Sequence, residues 1–248
     1  MEEKFYQEYA RIEATHWWFE GRRAIFDTVL RSLDLPANAL LLDLGCGTGA
    51  NLNFLTGYGH AVGLDWGAAA ARYARSRTSA PVLRGDVTAL PFRSNSVDLI
   101  TAFDLVEHID DDRACAGELA RVCRPGGYLM VTVPAFQWMW GRQDTISHHK
   151  RRYRADGFAR LFTEQGLQIQ RFTYLNTFLF PVVAAVRLFR RFVPEKHGEL
   201  MSDFSMTQPG RLNTLLGRFF GAESKIIRHW DLPVGVSLLC LARKPHAS

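Results

Sequence analysis

Residues 40–51, LLLDLGCGTGAN, constrain this chain more than any other stretch. Four leucines around Asp43 read as a buried strand that runs directly into Gly45, Gly47 and Gly49. Glycine tolerates positive φ and, having no side chain, lets a ligand come close to the backbone. Residues 50–58 can then open a helix whose first N–H groups point at the same place and hold a polar ligand end. A glycine repeat alone favours an ordinary strand-to-helix turn. The residues downstream of the turn decide between the two.

The glycine spacing separates two nucleotide-binding families. Dinucleotide folds place G-x-G-x-x-G after the first strand, whereas here the pattern is Asp-x-Gly-x-Gly-x-Gly, with Asp43 two residues before Gly45. In this motif the chain resembles the class I S-adenosylmethionine-dependent methyltransferases, and among them the methyltransferase type 11 family, whose first motif reads very nearly DLGCGTG. The resemblance recurs strand by strand to about Pro134. It implies an α/β fold: a seven-stranded, mostly parallel, Rossmann-like sheet with the last strand antiparallel and helices on both faces. It also implies S-adenosyl-L-methionine as cofactor and S-adenosyl-L-homocysteine as product. Asp43, Gly45, Cys46, Gly47 and Gly49 are then cofactor-binding residues.

A chain of 248 residues, 47% hydrophobic, can bury one large core with elaborations. The expected organisation is a single domain over 1–248. It has an N-terminal helical cap at 1–35, a core sheet at 36–175 and 231–245, and a helical insertion or lid at 176–230. The net charge of +5 permits an anionic substrate or surface without requiring one. Cys46, Cys115, Cys123 and Cys240 are scattered, with no C-x-x-C pair. That pattern, and a charged first segment with no apolar central run, point to a reducing cytoplasm.

Residues 2–33 read as two helices, with Phe5, Tyr9 and Ile12 on one face of the first and Ile25, Val29 and Leu33 on one face of the second. Between them stand His16, Trp17, Trp18 and Phe19, followed by Arg22 and Arg23. These cannot all be buried on one helix face, so the cluster either lines a pocket or anchors packing with solvated arginines. Trp17, Trp18 and Arg22 are candidate substrate contacts. By analogy with the family, this segment covers the cofactor.

A second strand over 60–66 ends in Asp65, 22 positions after Asp43, close to the offset of about 20 at which an acidic side chain meets ribose hydroxyls. Asp65 suits that role and also helix capping before residues 67–77. The resemblance places Trp66 against the adenine. A third strand over 81–86 delivers Asp86 and Val87, which in the family accept from the adenine amino group and donate a backbone N–H. The fourth strand, 97–103, delivers Asp104 and Leu105, beside the reacting methyl in a parallel sheet, and then His108. Asp110, Asp111 and Asp112 read as helix-capping residues; no metal is expected from them. A helix over 111–123 should stop at Arg124-Pro125-Gly126-Gly127 before a fifth strand over 128–133.

Residues 135–154, AFQWMWGRQDTISHHKRRYR, form the loop after that strand. Trp138, Trp140, Asp144, Arg152 and Tyr153 are candidate substrate contacts there. A histidine metal site, a nucleic-acid patch at 150–154 and a substrate pocket compete, and the pocket is preferred. Adjacent histidines point apart, and one short cationic run is more often a solvated face or anion anchor. His148 or His149 is the first choice of base, because histidine titrates near neutrality, with His16 and His108 next. After a helix over 155–165, strands over 166–175 and 235–244 flank the insertion. One of its helices carries Val182, Val183, Val186, Leu188, Phe189 and Phe192, with Arg187, Arg190 and Arg191 interleaved. Residues 177–193 could touch a membrane surface, and residues 212–220 could pair with that helix. The apolar stretch 177–186 falls short of the ~20 residues of a spanning helix.

The expected function is methyl transfer from S-adenosylmethionine to a small-molecule or lipid-like acceptor by in-line displacement. The alternative is a catalytically silent cofactor-binding partner. A nucleic-acid partner is not expected, and the oligomeric state is not legible.

Overall fold

The computed structural model describes residues 3–190 and 210–246. Seven strands, β1 (Leu40–Leu44), β2 (His60–Asp65), β3 (Val82–Arg84), β4 (Val97–Phe103), β5 (Cys123–Pro134), β6 (Gln168–Leu175) and β7 (Ser237–Arg243), form one sheet in the order β3-β2-β1-β4-β5-β7-β6. All pairings are parallel except those of β7, which runs antiparallel to both β5 and β6. Every residue of β4 is buried, as in a strand covered on both faces. The strand order reverses between β1 and β4, so a crevice opens beyond their carboxyl ends.

Helices cover both faces. On one lie α5 (Asp112–Val122) and α7 (Ala155–Thr163), which bury Leu119, Phe158 and Phe162 against the sheet. On the other lie α2 (Trp17–Leu30), α3 (Ala50–Leu55) and α4 (Ala68–Arg75). There Phe26 stacks on Phe103 with centroids 4.1 Å apart and rings 12° from parallel. The first helix, α1 (Glu3–Thr15), crosses above α3 and α4.

Several elements differ from the sequence expectation. The third strand is three residues long, because Asp86 turns the chain by accepting from the Thr88 N–H at 2.8 Å. Helix α5 ends at Val122, ahead of the Arg-Pro-Gly-Gly run. Its last carbonyls already accept from Asn95 and Ser96, and Gly126, at φ +80°, sits inside β5 and donates to the Lys244 carbonyl. Residues 135–154 are not a plain loop: they hold a 3-10 turn (Gln137–Met139) and α6 (Arg142–Ile146).

In the insertion, α8 (Phe180–Arg190), α9 (Arg211–Gly221) and α10 (Glu223–Ile227) are helical. Instead of pairing with α8, α9 packs chiefly on α2, where Phe220 fits against Gly21; a Cβ there would stand 2.5 Å from the Phe220 ring. The side chains of Phe5 and Arg190, and residues 191–209 with Arg191 and Phe192, lie outside the described residues. Among the described residues, no helix is long and apolar enough to cross a membrane.

Candidate active site

The turn after β1 takes three positive φ values, +67° at Gly45, +53° at Gly47 and +82° at Gly49, a conformation that L side chains resist by roughly 1–2 kcal/mol each. A Cβ on Gly45 would meet Leu105 at 2.8 Å, whereas one on Gly47 would meet only the Gly45 carbonyl, at 3.8 Å. The face of the turn at Gly47 is therefore open. Asp65, at the end of β2, accepts from the Gly47 N–H at 2.9 Å and the Gly67 N–H at 2.7 Å. Each oxygen keeps a lone pair for a further donor. Burial raises the Asp65 pKa.

Beneath the turn, Asp43 is buried, with one oxygen accepting from the Thr101 hydroxyl at 2.8 Å and the other without a partner. Burial pushes its carboxyl up to about 7. A folded-state value above the ordinary ~3.9 means the folded protein holds a proton that the unfolded chain has released. That stabilisation is present at low pH and is lost as the pH rises through about 7. Without cofactor, the thermal midpoint of the wild type relative to Asp43→Asn should therefore fall between pH 5 and 8, as calorimetric scans would show. A constant difference would mean that Asp43 does not titrate in that window.

The other expected cofactor residues lie along the same crevice. Asp86 accepts from the Thr88 N–H and hydroxyl, Val87 and Cys46 are buried, and Trp66 is 66% exposed. S-adenosylmethionine fits these residues. Asp43 has a buried oxygen awaiting a donor, Gly47 an open face, and Asp65 and Asp86 are acceptors at successive strand ends flanking an exposed indole. Helix α1 lies over this end, with Glu13 accepting from the Thr48 hydroxyl and Tyr6 stacked on Tyr73.

Beyond Asp104 the crevice opens into a cavity of about 390 Å³. It is lined by Tyr9, His16, Trp17 and Trp18 from the N-terminal segment, by Asp104, Glu107 and His108 after β4, by His149 and Arg152 after α6, and by Val183, Arg187 and Leu216 from α8 and α9. The N-terminal lining is built by capping: His16 Nδ1 accepts from the Trp18 N–H at 3.2 Å, opening α2, and burial lowers its pKa to about 4. One turn on, Arg22 is buried and ion-paired with Asp104 while donating to the Thr132 hydroxyl at 3.0 Å. Asp104 stands at φ +51°, which swings its carboxylate back toward α2.

The lining after α6 is organised by Asp144. This buried carboxylate accepts from Arg152 Nε at 2.7 Å, from the Gly141 N–H at 2.8 Å and from His149 Nδ1 at 2.9 Å. Burial pushes its pKa up, but the His149 and Arg152 hydrogen bonds outweigh that and hold it at about 2. The ionised carboxylate thus keeps a proton on Nδ1 and turns Nε2 inward, 3.9 Å from Glu107. Glu107 is fully buried, neither of its oxygens has a hydrogen-bond partner, and burial followed by the Asp104 charge raises its pKa. His108 meets His149 edge to face at 4.8 Å, and burial, then His149, lowers its pKa to about 4.

Of the remaining candidates, His148 is exposed at φ +56°. Tyr153 is in the core, its hydroxyl donating to Asp112 at 2.8 Å. Trp138 stacks on Phe136, and Trp140 is half-buried; neither lines the cavity. The cationic run is paired: Lys150 with Asp110, Arg151 with Asp112, Arg152 with Asp144 and Arg154 with Asp156. Asp111 caps α5, so all three consecutive aspartates have partners within the chain. Of the other lining residues, Glu107 was expected near the reacting methyl only as part of the run 104–109, with no role of its own, and Asn176 was not expected.

A family model described as a methyltransferase domain matches residues 42–131. A probable S-adenosylmethionine-dependent methyltransferase of Mycolicibacterium smegmatis is 26% identical over 159 residues, 62% of this chain and 61% of the relative. A demethylmenaquinone methyltransferase of Lactiplantibacillus plantarum is 27% identical over 168 residues, 59% of this chain and 65% of the relative. The chain thus spans less than two thirds of either relative. Among solved structures, a chain of the complex between the Haloferax volcanii Trm112 methyltransferase activator and its methyltransferase superposes with a TM-score of 0.65 at 19% identity. That match covers 99% of this chain and 96% of the other, and it shows a shared fold. With the Asp-x-Gly-x-Gly-x-Gly turn, the strand-end carboxylates and the 3-2-1-4-5-7-6 sheet in place, residues 42–131 form a methyltransferase domain, and the chain is similar in sequence and in fold to S-adenosylmethionine-dependent methyltransferases.

Proposed function

We propose that this protein transfers a methyl group from S-adenosylmethionine to a small-molecule or lipid-like acceptor held in the cavity beyond Asp104. The observation that carries this reading is the cavity itself: it begins at the carboxyl end of β4 and joins two indoles to an inward-facing imidazole. S-adenosylmethionine, when bound, supplies a methyl on a positively charged sulfur. The protein's task is then alignment and handling of the acceptor's proton. Asp65 would accept from the ribose hydroxyls and Asp86 from the adenine amino group, with Val87 donating its N–H and Trp66 covering the ring. Asp43 and the glycine turn would receive the methionine end.

In the transfer, the acceptor's nucleophilic atom bonds to the methyl carbon as the carbon–sulfur bond breaks and its electron pair returns to sulfur. Of the four histidines expected as candidate bases, His149 is the one whose free nitrogen is aimed into the cavity by a rigid carboxylate. It is the side chain assigned to meet the nucleophile. Trp17, Trp18, Val183 and Leu216 support an apolar acceptor body, as does a relative whose name gives demethylmenaquinone as acceptor. Exposed Val182, Val186 and Phe189 on α8, whose Val183 lines the cavity, support peripheral membrane contact there. The four free, buried cysteines fit a reducing cytoplasm.

Incubation with methyl-labelled S-adenosylmethionine and separated lipid and aqueous metabolite fractions tests this. Label should enter a small acceptor with an equal yield of S-adenosylhomocysteine. Tight cofactor binding without turnover in any fraction would make the protein a silent binder. Asp65→Ala should weaken cofactor binding by about 1.5–3 kcal/mol, the scale of hydrogen bonds to a charged group. It should also loosen the turn by freeing the Gly47 and Gly67 N–H groups. Unchanged affinity by calorimetry in a folded variant would leave Asp65 as a fastener of the turn alone.

A further inference from the structure

Glu107, His108 and His149 bring one carboxylate oxygen and two imidazole nitrogens to within 4.8 Å of one another on the cavity wall. They arrive from two directions. Glu107 and His108 sit on the 3-10 turn Val106–His108 that follows β4, and His149 follows α6. The segments are tied together by the Lys150 N–H, which donates to the Glu107 carbonyl at 2.9 Å.

Both imidazoles are already oriented from behind. His149 Nδ1 is held by Asp144, itself locked by Arg152 and the Gly141 N–H, and the His108 ring hydrogen-bonds the backbone of His148. Each ring is left with one nitrogen for another partner, the arrangement of metal-ligating histidines, whose second nitrogen is fastened to a carboxylate or a carbonyl. Glu107 supplies an independent sign. It is 0% exposed, neither oxygen has a hydrogen-bond partner, and His149 Nε2, at 3.9 Å, is beyond hydrogen-bond reach. A carboxyl group buried in this way either holds a proton or, when ionised, costs several kcal/mol unless a cation or donors meet it. The charges of Arg22 and Arg152 favour its ionised form, but their hydrogen bonds go elsewhere, from Arg22 to Asp104 and Thr132 and from Arg152 to Asp144 and the Ala135 carbonyl.

We propose that Glu107, His108 and His149 bind a divalent first-row cation of the zinc kind, with its open positions facing the acceptor cavity. Two imidazoles and one carboxylate favour such an ion over magnesium or calcium, which prefer all-oxygen sites. Ligands at about 2.0–2.2 Å from one ion lie roughly 3 Å apart, so the three side chains need to draw in by about 1 Å. This deepens the methyltransferase reading and rests on it only for the acceptor. His149 then acts as a ligand, and the cation holds the acceptor's hydroxyl or enol oxygen and lowers its pKa, so that its proton leaves to water before the methyl is taken.

The test uses the full chain, stripped with a chelator, dialysed, and titrated with Zn²⁺ by calorimetry and with Co²⁺ by visible absorption. One ion should bind per chain, and Co²⁺ should show ligand-field bands of a nitrogen- and oxygen-coordinated site. Glu107→Gln and His149→Ala should each weaken binding by about 10-fold or more, and Asp144→Ala by about 10 to 100-fold through loss of orientation. S-adenosylmethionine affinity should hold in Glu107→Gln, which also shows that the variant is folded. Binding weaker than about 1 mM in the wild type, or equal binding by all variants, would overturn the proposal. Ion binding at this site without methyl transfer would leave the site standing and bring down the methyltransferase reading. Methyl transfer by a protein that binds no ion would do the reverse and leave His149 as the proton acceptor.

Discussion

His149→Ala is expected to lower methyl-transfer turnover by about 10² to 10⁴-fold, the scale for losing a side chain that handles the acceptor's ionisation in the transition state. Cofactor affinity should stay nearly unchanged, because His149 lines a cavity whose lining does not include the glycine turn, Asp65 or Asp86. The neighbouring His148→Ala should behave close to wild type. Its side chain is exposed, and only its backbone serves the site by holding His108. The pair of variants is best compared by single-turnover rates with the true acceptor. Equal and full activity in both would remove His149 from the reaction; equal and severe loss would mean that residues 147–150 act through folding.

Phe26→Ala is expected to destabilise the protein by about 3–5 kcal/mol, the range for deleting a large buried aromatic side chain. Phe26 is 1% exposed, stacks on Phe103 at 4.1 Å and lies under the Arg22 guanidinium at 5.1 Å. It fixes α2 to the carboxyl end of β4, where Arg22 then reaches Asp104 and Thr132. Losing the ring should therefore cost acceptor affinity as well as stability, since Trp17 and Trp18 stand on the same helix. Denaturant unfolding would measure the first effect and the acceptor KM the second. A loss below about 1 kcal/mol would mean that the neighbouring side chains close over the space.

The reach of local patterning shows in the same two regions. Residues 40–51 announce their own geometry, because a leucine run feeding three glycines has few conformations open to it, and the structure places all three glycines at positive φ. The succession of strands up to Pro134 and the aspartate cap of α5 follow from hydrophobic period, glycine and proline placement and capping chemistry, all of them short-range, whereas the antiparallel last strand was implied by the family resemblance alone. That one of two adjacent histidines would turn inward was also legible, since neighbouring side chains diverge. Which one was not: Asp144 makes the choice, through a turn of α6 that places its carboxylate against His149 Nδ1.

The rest was settled by contacts between distant residues. Arg22 reads as a substrate contact or a solvated arginine in sequence, yet it meets Asp104, 82 positions away. Tyr153 reads as a pocket residue, yet it finds Asp112 in the core, 41 positions away. Residues 212–220 carry a stripe that could have paired with α8, but the gap above Gly21 admits the Phe220 ring and draws α9 onto α2. Glu107 carries no sequence mark of isolation at all. Its burial without a partner arises only because β4, α5 and the segment at 144–152 close around it, and the energy of a buried charge depends on everything that surrounds it, whatever its neighbours along the chain.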